Sequence, residues 1–530
     1  MSGVRGRTVT SSAVVSTLPR PPRLLPCPLA ELAAVVGLPA EPVPVTGGPA
    51  APVPVTGGPA APVLVTGVTH ASDAVQPGDL YAALPGQRRH GAEFVAAAAA
   101  AGARAVLTDR AGADAAATAG LPALIVPNPR AVLGLVAARV YGDPTARLPV
   151  IGITGTAGKT TTAYLVEAGL RAAGRTPALL GTVETRLDDL VVDSVRTTPE
   201  ATDLHALFAL AEQRGVDAVA MEVSSHALEL DRVGGVRFAV GGWTNFGLDH
   251  LDFHPDVAAY FAAKAKLFDG RCEVEVLNAD DPALNSLMKP QTVTYSAAGD
   301  PAASWYASKI TGAVEQSFLA HGPAGAVTAG VRLPGRHNVA NALLAMAALT
   351  SLGIDPAVAA DGIAGCPGVP GRLERVGDGP VLGVVDYAHK PDAIVAALAA
   401  LRPVAAARRG RLICVIGAGG DRDPGKRSLM GQAAARGADL VVITDDNPRT
   451  EDPAAIRAAV IEGARTVAGA AVVEVAGRRR ALYEAVGRSA PGDVVAVLGK
   501  GHERGQEIDG EIRPFDDREL LAQALTEAAT

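Results

Sequence analysis

The stretch of this chain best suited to hold a phosphate is Gly155-Thr156-Ala157-Gly158-Lys159-Thr160-Thr161, in which a lysine stands between a glycine turn and a run of threonines. Glycines let backbone N–H groups close on an anion, Lys159 can reach terminal phosphates, and Thr160 can offer its hydroxyl to Mg²⁺. A loop of this kind works only between a strand and a helix. The apolar run 150–153 precedes it, and the pattern AYLVEAGLRAAG, closing at Gly174, follows it. The spacing departs from the common GxxxxGK[ST] form, because Ile153 stands where the first glycine belongs.

Other polar residues fall where apolar runs end. Glu222 closes DAVAME, and His250 lies between Asp249 and Asp252 in TNFGLDHLDFH. A carboxylate and an imidazole near a nucleotide suit Mg²⁺, which shares its shell between a few protein groups, phosphates and water. Lys264 sits on a helix expected after Asp256, where a lysine ordinarily faces solvent. Towards the C-terminus, Arg422 in GGDRDPGKR, Arg449 in DDNPRTEDP and Glu503 in GKGHERG each follow a strand pattern. Arginine suits a carboxylate in a two-bond fork, whereas Glu503 or Asp446 suits an ammonium. Both signs in one place point to a zwitterion such as an amino acid; salt bridges that only brace the turns are the alternative for any one of them.

These positions require parallel α/β units, whose strand ends converge on one crevice. With 530 residues, about three domains are expected. Residues 1–62 read as a disordered, basic N-terminus and an extended insert with a decapeptide repeat, EPVPVTGGPA then APVPVTGGPA. A small N-terminal α/β domain spans 63–146, with a strand expected over 63–68. A central phosphate-loop domain, 147–370, is expected as a doubly wound parallel sheet. A C-terminal Rossmann-like α/β domain covers 371–530.

Composition narrows the class. A net charge of −7 argues against a nucleic-acid partner, and no apolar run of about 18 residues exists to span a membrane. The four cysteines are dispersed and form no CxxC pair, which suggests a reducing, cytosolic setting.

Taken in order, TGTAGKTTT, MEVSSHAL, TNFGLDHLDFH, AAYFAAKAKLF, LPGRHNVANALLA, DYAHKPDA, GGDRDPGKR, DDNPR and GKGHE resemble the Mur ligases over about 63–525. The resemblance implies a three-domain ATP-dependent amide ligase of peptidoglycan precursor synthesis, working through an acyl phosphate. It implies that 155–161 bind ATP, with Thr160, Glu222, His250 and a carbamylated Lys264 around Mg²⁺, and Lys159, His250 and Lys264 as catalytic groups. His337, Asn338, Arg372 and the turn from Asp386 to His389 would lie by the nucleotide. Ser72, Thr197, Thr198, Ser224 and Arg232 match positions holding UDP-MurNAc-L-Ala-D-Glu. Arg422, Asp446, Asn447, Pro448, Arg449, Gly499 and Glu503 match those holding meso-diaminopimelate. DNPR with its arginine is the form of diaminopimelate enzymes; lysine lacks the distal carboxylate and would leave that cation unpaired. A cytoplasmic monomer is expected.

Two departures stand out. Ala71-Ser72-Asp73 replaces the usual Asp-Ser-Arg, which weakens the expected hold on uridine diphosphate, and the family gives the decapeptide insert no role. The alternatives are a lysine-adding Mur ligase, a folylpolyglutamate synthetase-like ligase, or a non-catalytic nucleotide-binding paralogue.

Overall fold

The computed structural model describes residues 18–38, 62–86, 88–194, 196–377 and 379–528. Most of the decapeptide repeat and residues 1–17 lie outside these. The chain forms two compact units, the first comprising Met1–Thr154, Arg175–Gly241 and Leu248–Glu273, the second Gly155–Gly174, Gly242–Gly247 and Val274–Thr530.

The first unit opens with a correction. The basic N-terminal region, expected without structure, contributes the helix Leu29–Val35, and Cys27–Pro28 pairs antiparallel with Leu64–Val65. Leu29, Leu32 and Ala33 are buried in the same apolar cluster as Leu80, Leu107, Leu124 and Val136. Seven helical residues are too few to persist alone; burial of one face is what holds them. The segment expected as one strand over 63–68 is broken, with Leu64–Val65 followed by a separate strand, Gly67–Thr69. From there four parallel strands run in sequence order, Gly67–Thr69, Asp79–Ala83, Ala105–Thr108 and Ala123–Ile125.

The rest of this unit places Ala218–Glu222 between Pro177–Leu180 and Val150–Thr154, all parallel. Glu184–Leu187 and Leu190–Asp193 add an antiparallel edge. Strand Ala218–Glu222 is buried throughout, hence its unbroken apolar run up to Glu222.

His205, on helix Ala201–Gln213, is fully buried, and its Nε2 lies 2.8 Å from the Gly234 carbonyl while Nδ1 has no partner among the described residues. Nε2 therefore carries the hydrogen, and a second proton on Nδ1 would have no acceptor. Burial accordingly pushes the imidazole down to about 4. Between pH 6.5 and 4 the unfolded chain binds a proton that the native state does not, so stability falls as pH falls through that window, by up to roughly 3 kcal/mol at its foot. His205→Gln keeps the donor to Gly234 without the titration. Its denaturation midpoint is expected to fall less between pH 6.5 and 4.5 than that of the wild type; equal slopes would exclude this assignment.

In the second unit, helix Lys159–Ala172 packs on Arg336–Ser351 and Pro356–Gly365, where Gly169 admits the Leu349 side chain. Cys272–Asn278, Val293–Ser296 and Trp305–Thr311 are parallel, but Gln316–Gly322 and Gly325–Val331 continue the sheet antiparallel. The parallel α/β expectation holds for the strands that carry the site, and this meander extends it. A further six-stranded sheet runs Glu374–Val376, Leu382–Asp386, Val494–Leu498, Leu412–Ile416, Leu440–Ile443 and Val472–Glu474, parallel except for its first strand.

Candidate active site

The glycine loop is built as its composition requires. Gly155 has φ +137° and Gly158 φ +87°, both in the left-handed half of backbone space. A Cβ on Gly155 would lie 1.8 Å from Thr244 Oγ1, and one on Gly158 would lie 2.5 Å from Asn341 Oδ1. Ala157 is clamped from three directions. Its N–H donates to Asn245 Oδ1 at 3.0 Å, and its carbonyl accepts from Asn245 Nδ2 at 3.0 Å and Thr244 Oγ1 at 2.5 Å. Lys159 Nζ donates to the carbonyls of Gly155 and Thr156 at 2.9 and 3.1 Å, so the ammonium lies over the loop it belongs to. The irregular spacing also has a cause: Ile153 is not in the loop at all. It is fully buried within strand Val150–Thr154 and pairs with Glu222, so the turn begins two residues later. The loop's left-handed glycines and its lysine fit a nucleotide polyphosphate.

Asn338 and Asn341 brace the start of the following long helix: Asn341 Nδ2 donates to Asn338 Oδ1 at 3.0 Å, and Asn338 Nδ2 to Pro334 O at 2.8 Å. His337 beside them is exposed. The Arg372 guanidinium stacks 4.5 Å from the Tyr387 ring centroid, which also neighbours His389 and His502.

In the first unit, Glu222 is 1% exposed. Its carboxylate accepts from the Thr182 N–H at 2.7 Å and the Thr182 hydroxyl at 3.1 Å. Gly181 makes room for it, since a Cβ there would come within 2.5 Å of Glu222 Oε1. Thr182 Oγ1 also lies 3.0 Å from Thr197 Oγ1, while Thr198 donates to the Glu222 carbonyl and accepts from the Ser224 N–H. Ser224 caps the helix that follows. The threonines and serine expected to hold substrate are thus joined directly to the expected metal ligand.

His250 adopts φ 54°, its N–H held by Asp249 Oδ1 at 2.7 Å. Its ring meets His226 edge-on and neighbours Tyr260. Burial, then His254 and Arg232, hold His226 below the usual imidazole value. Lys264 does not face solvent. It is 1% exposed, with Nζ 4.7 Å from the Tyr260 ring centroid. Among the described residues no group of three or more His, Cys, Asp and Glu side chains is arranged to hold a metal. Within the first unit, buried Glu222 and His250 are donor types that Mg²⁺ takes where phosphates and water complete its shell.

Arg232 reaches Glu200 at 2.9 Å, and Arg130 and Arg196 approach the same carboxylate at 3.4 and 3.9 Å. Three guanidinium groups on one carboxylate leave a surplus of positive charge. Ser72 lies in the short turn Ser72–Ala74, with Asp73 exposed. Arg20 arrives there from the N-terminal segment, donating to Ala74 O and, through Nη1, to both oxygens of buried Asp79. A guanidinium therefore stands at this turn although position 73 is acidic.

In the six-stranded sheet the residues of the zwitterion pattern converge. Asn447 Nδ2 donates to Glu503 Oε2 at 3.0 Å, and a Cβ on Gly499 would stand 2.6 Å from Asp446 Oδ2. Pro448 is buried, and its carbonyl abuts Gly420. Arg449, at φ 53°, donates through Nε to Glu507 at 2.9 Å and through Nη1 to Gly420 O at 2.7 Å. Its charge, expected to depend on a ligand, already has a counter-ion within the fold. Arg422 is exposed on the loop after Leu412–Ile416. Beneath these, Arg478 has no exposed surface and makes a two-bond contact with Asp517 at 2.8 and 2.6 Å, while donating to Leu498 O.

Thr182, Asn341, Glu200 and Lys500 are the residues that sequence reasoning passed over, although Asn341 lies within LPGRHNVANALLA and Lys500 within GKGHE.

A loop shaped for phosphates and a second sheet whose strand ends mix carboxylates with guanidinium groups define a nucleotide-using enzyme that handles a charged small molecule. Three family models match the chain: Mur ligase family, catalytic domain, over 64–141; Mur ligase middle domain over 153–349; and Mur ligase, glutamate ligase domain, over 371–501. The chain belongs to the Mur ligase family, and it is an ATP-dependent ligase forming amide bonds. The UDP-N-acetylmuramoyl-L-alanyl-D-glutamate–2,6-diaminopimelate ligase of Streptomyces coelicolor is 52% identical over 517 residues, 96% of this chain and 98% of that protein. Its counterpart from Streptomyces avermitilis is 51% identical over the same length and the same shares. A solved structure of a UDP-N-acetylmuramoyl-L-alanyl-D-glutamate–2,6-diaminopimelate ligase matches with TM-score 0.64 at 32% identity, covering 88% of this chain and 96% of that one.

Proposed function

We propose that this chain joins meso-diaminopimelate to the γ-carboxylate of the D-Glu in UDP-MurNAc-L-Ala-D-Glu, using ATP, as a cytoplasmic step in peptidoglycan precursor synthesis. The observation that carries the substrate choice is the cluster Asp446-Asn447-Pro448-Arg449 with Glu503, which offers carboxylates to an ammonium and a guanidinium to a carboxylate. The 52% identity to a ligase of that name supports it.

A carboxylate is a poor electrophile until one of its oxygens becomes a leaving group. In this reading, the γ-carboxylate oxygen attacks the terminal phosphorus of ATP, ADP departs, and an acyl phosphate forms. The substrate amine, having lost its proton, adds to the acyl carbon, and the tetrahedral intermediate expels phosphate as the amide forms. Such phosphoryl transfer asks the protein for positioning and charge neutralisation rather than for a nucleophile. Residues 155–161 take the polyphosphate at the start of helix Lys159–Ala172, and Lys159 swings from its loop carbonyls to the γ-phosphate. Mg²⁺, held by Thr160, Glu222, His250 and Lys264 as its carbamate, would offset charge on the transferred group. His337, Asn338 and Arg372, with Tyr387 behind it, take the nucleoside end. Ser72, Thr197, Thr198, Ser224 and Arg232 hold the UDP-linked dipeptide, with the surplus charge around Glu200 facing its anionic groups. Gly499 permits the close approach of Asp446, and Arg422 adds an exposed cation for the amino acid.

Arg449 keeps Nη2 uncommitted beside the Nε and Nη1 bonds it makes within the fold. Because Glu507 balances its charge, lysine is not excluded by an unpaired cation alone. Selectivity must come from what Nη2 and Arg422 gain on a distal carboxylate. Phosphate release with ATP and UDP-MurNAc-L-Ala-D-Glu, measured separately with meso-diaminopimelate and L-lysine, tests this. Turnover is expected with diaminopimelate, and turnover with lysine alone would overturn the assignment.

A further inference from the structure

Lys500 is the middle residue of a Gly-Lys-Gly turn after strand Val494–Leu498, and its side chain has no exposed surface. An ammonium taken wholly out of water carries a large desolvation cost unless fixed acceptors replace its hydration. Two do. Nζ donates to Asn447 Oδ1 at 2.8 Å and to Glu503 Oε2 at 3.1 Å.

The consequences spread outward from that atom. Asn447 Oδ1 also accepts the Glu507 N–H at 3.0 Å, so two donors settle which end of the amide is oxygen. Asn447 Nδ2 must then point the other way, and it meets Glu503 Oε2. That oxygen takes a bond from Lys500 and one from Asn447, while the Glu503 side chain remains 34% exposed. The turn is shaped for this inward lysine. Gly499 and Gly501 have φ +118° and +55°, and a Cβ on Gly501 would stand 2.7 Å from Tyr387 Cβ.

We infer that Lys500 is a positioning residue for the amino-acid substrate, a buried cation that fixes the Asn447 amide and the Glu503 carboxylate so that Glu503 Oε1 is presented to the incoming ammonium. The inference rests on the reading that 446–449 and Glu503 hold that substrate. Lys500 touches no substrate itself. It acts by removing the torsional freedom of two groups that do, which is the freedom a binding site must otherwise lose on each encounter.

The test compares Lys500→Met and Glu503→Gln with the wild type in the full chain, measuring KM for meso-diaminopimelate, ATP and UDP-MurNAc-L-Ala-D-Glu, with thermal unfolding alongside. Lys500→Met is expected to raise KM for diaminopimelate about 10- to 100-fold, as loss of charge-assisted bonds does, and to leave the other two KM values within about twofold. An unchanged diaminopimelate KM in Lys500→Met, with a raised one in Glu503→Gln, overturns the inference and spares the site. An unchanged value in both overturns the reading of the site, and the inference falls with it. A proportional rise in all three KM values marks a general structural role and also overturns it. Where Lys500→Met does not fold, Lys500→Gln carries the test, because its amide can donate to one of the two acceptors and should raise KM by an intermediate factor. No rise in that variant is again a refutation.

Discussion

Lys159→Ala is expected to lower turnover on the order of 10³-fold or more, the scale seen when a cation facing a transferred phosphoryl group is lost. The Lys159 ammonium donates to two loop carbonyls, and Asn245 and Thr244 also hold the loop through Ala157. Phosphate release in the presence of ATP, UDP-MurNAc-L-Ala-D-Glu and meso-diaminopimelate measures the loss, and an unchanged unfolding curve shows that it is chemical. Lys159→Ala turning over at the wild-type rate would remove the loop from the mechanism. A wild-type chain with no turnover would point to a non-catalytic paralogue.

Lys264→Ala is expected to cost on the order of 10²-fold or more, as removal of a group that supports a metal does. Lys264 is 1% exposed, with its Nζ 4.7 Å from the Tyr260 ring centroid, and a carbamate there would turn the cation into an anion with two oxygens. Its formation consumes CO₂ and the neutral amine and releases one proton. Under ¹³CO₂ the wild type should show a carbamate carbon resonance that Lys264→Ala lacks, and formate or acetate should restore part of the variant's activity by entering the space vacated. Lys264→Arg keeps a cation but cannot form this adduct, so full activity in that variant would sink the idea.

What could be read from the chain alone was whatever depends on neighbours in sequence. Strand, glycine loop and helix follow one another around Lys159, and an apolar run ending in Glu222 marks a strand end without help from afar. Partners brought by the fold left no such trace. Thr182 cannot be matched to Glu222 from sequence, nor Asn341 to Gly158, because the match is made by strand order and helix packing. The meander Trp305–Val331 escaped notice for another reason: its strands are half-exposed, and their alternation is diluted by alanine and glycine. Helix Leu29–Val35 was hidden by the prolines around it, since local propensity argued against order and burial overrode it. Arg449 follows a strand as its pattern suggests, yet its bridge partner Ile508 and its counter-ion Glu507 stand on a hairpin that gives no sign of reaching back.

The antiparallel pairing of Cys27–Pro28 with Leu64–Val65, reinforced by the Leu29 N–H on the Val63 carbonyl at 2.8 Å, has a consequence for how this gene product can vary. It brings the two flanks of residues 39–61 side by side and fastens both to the first core. Whatever length of chain is spliced between them starts and finishes at the same two points. Gain or loss of whole decapeptide copies is therefore expected to be nearly neutral for stability, since both flanks stay fastened to the same core. A change in copy number there displaces neither of the two flanks.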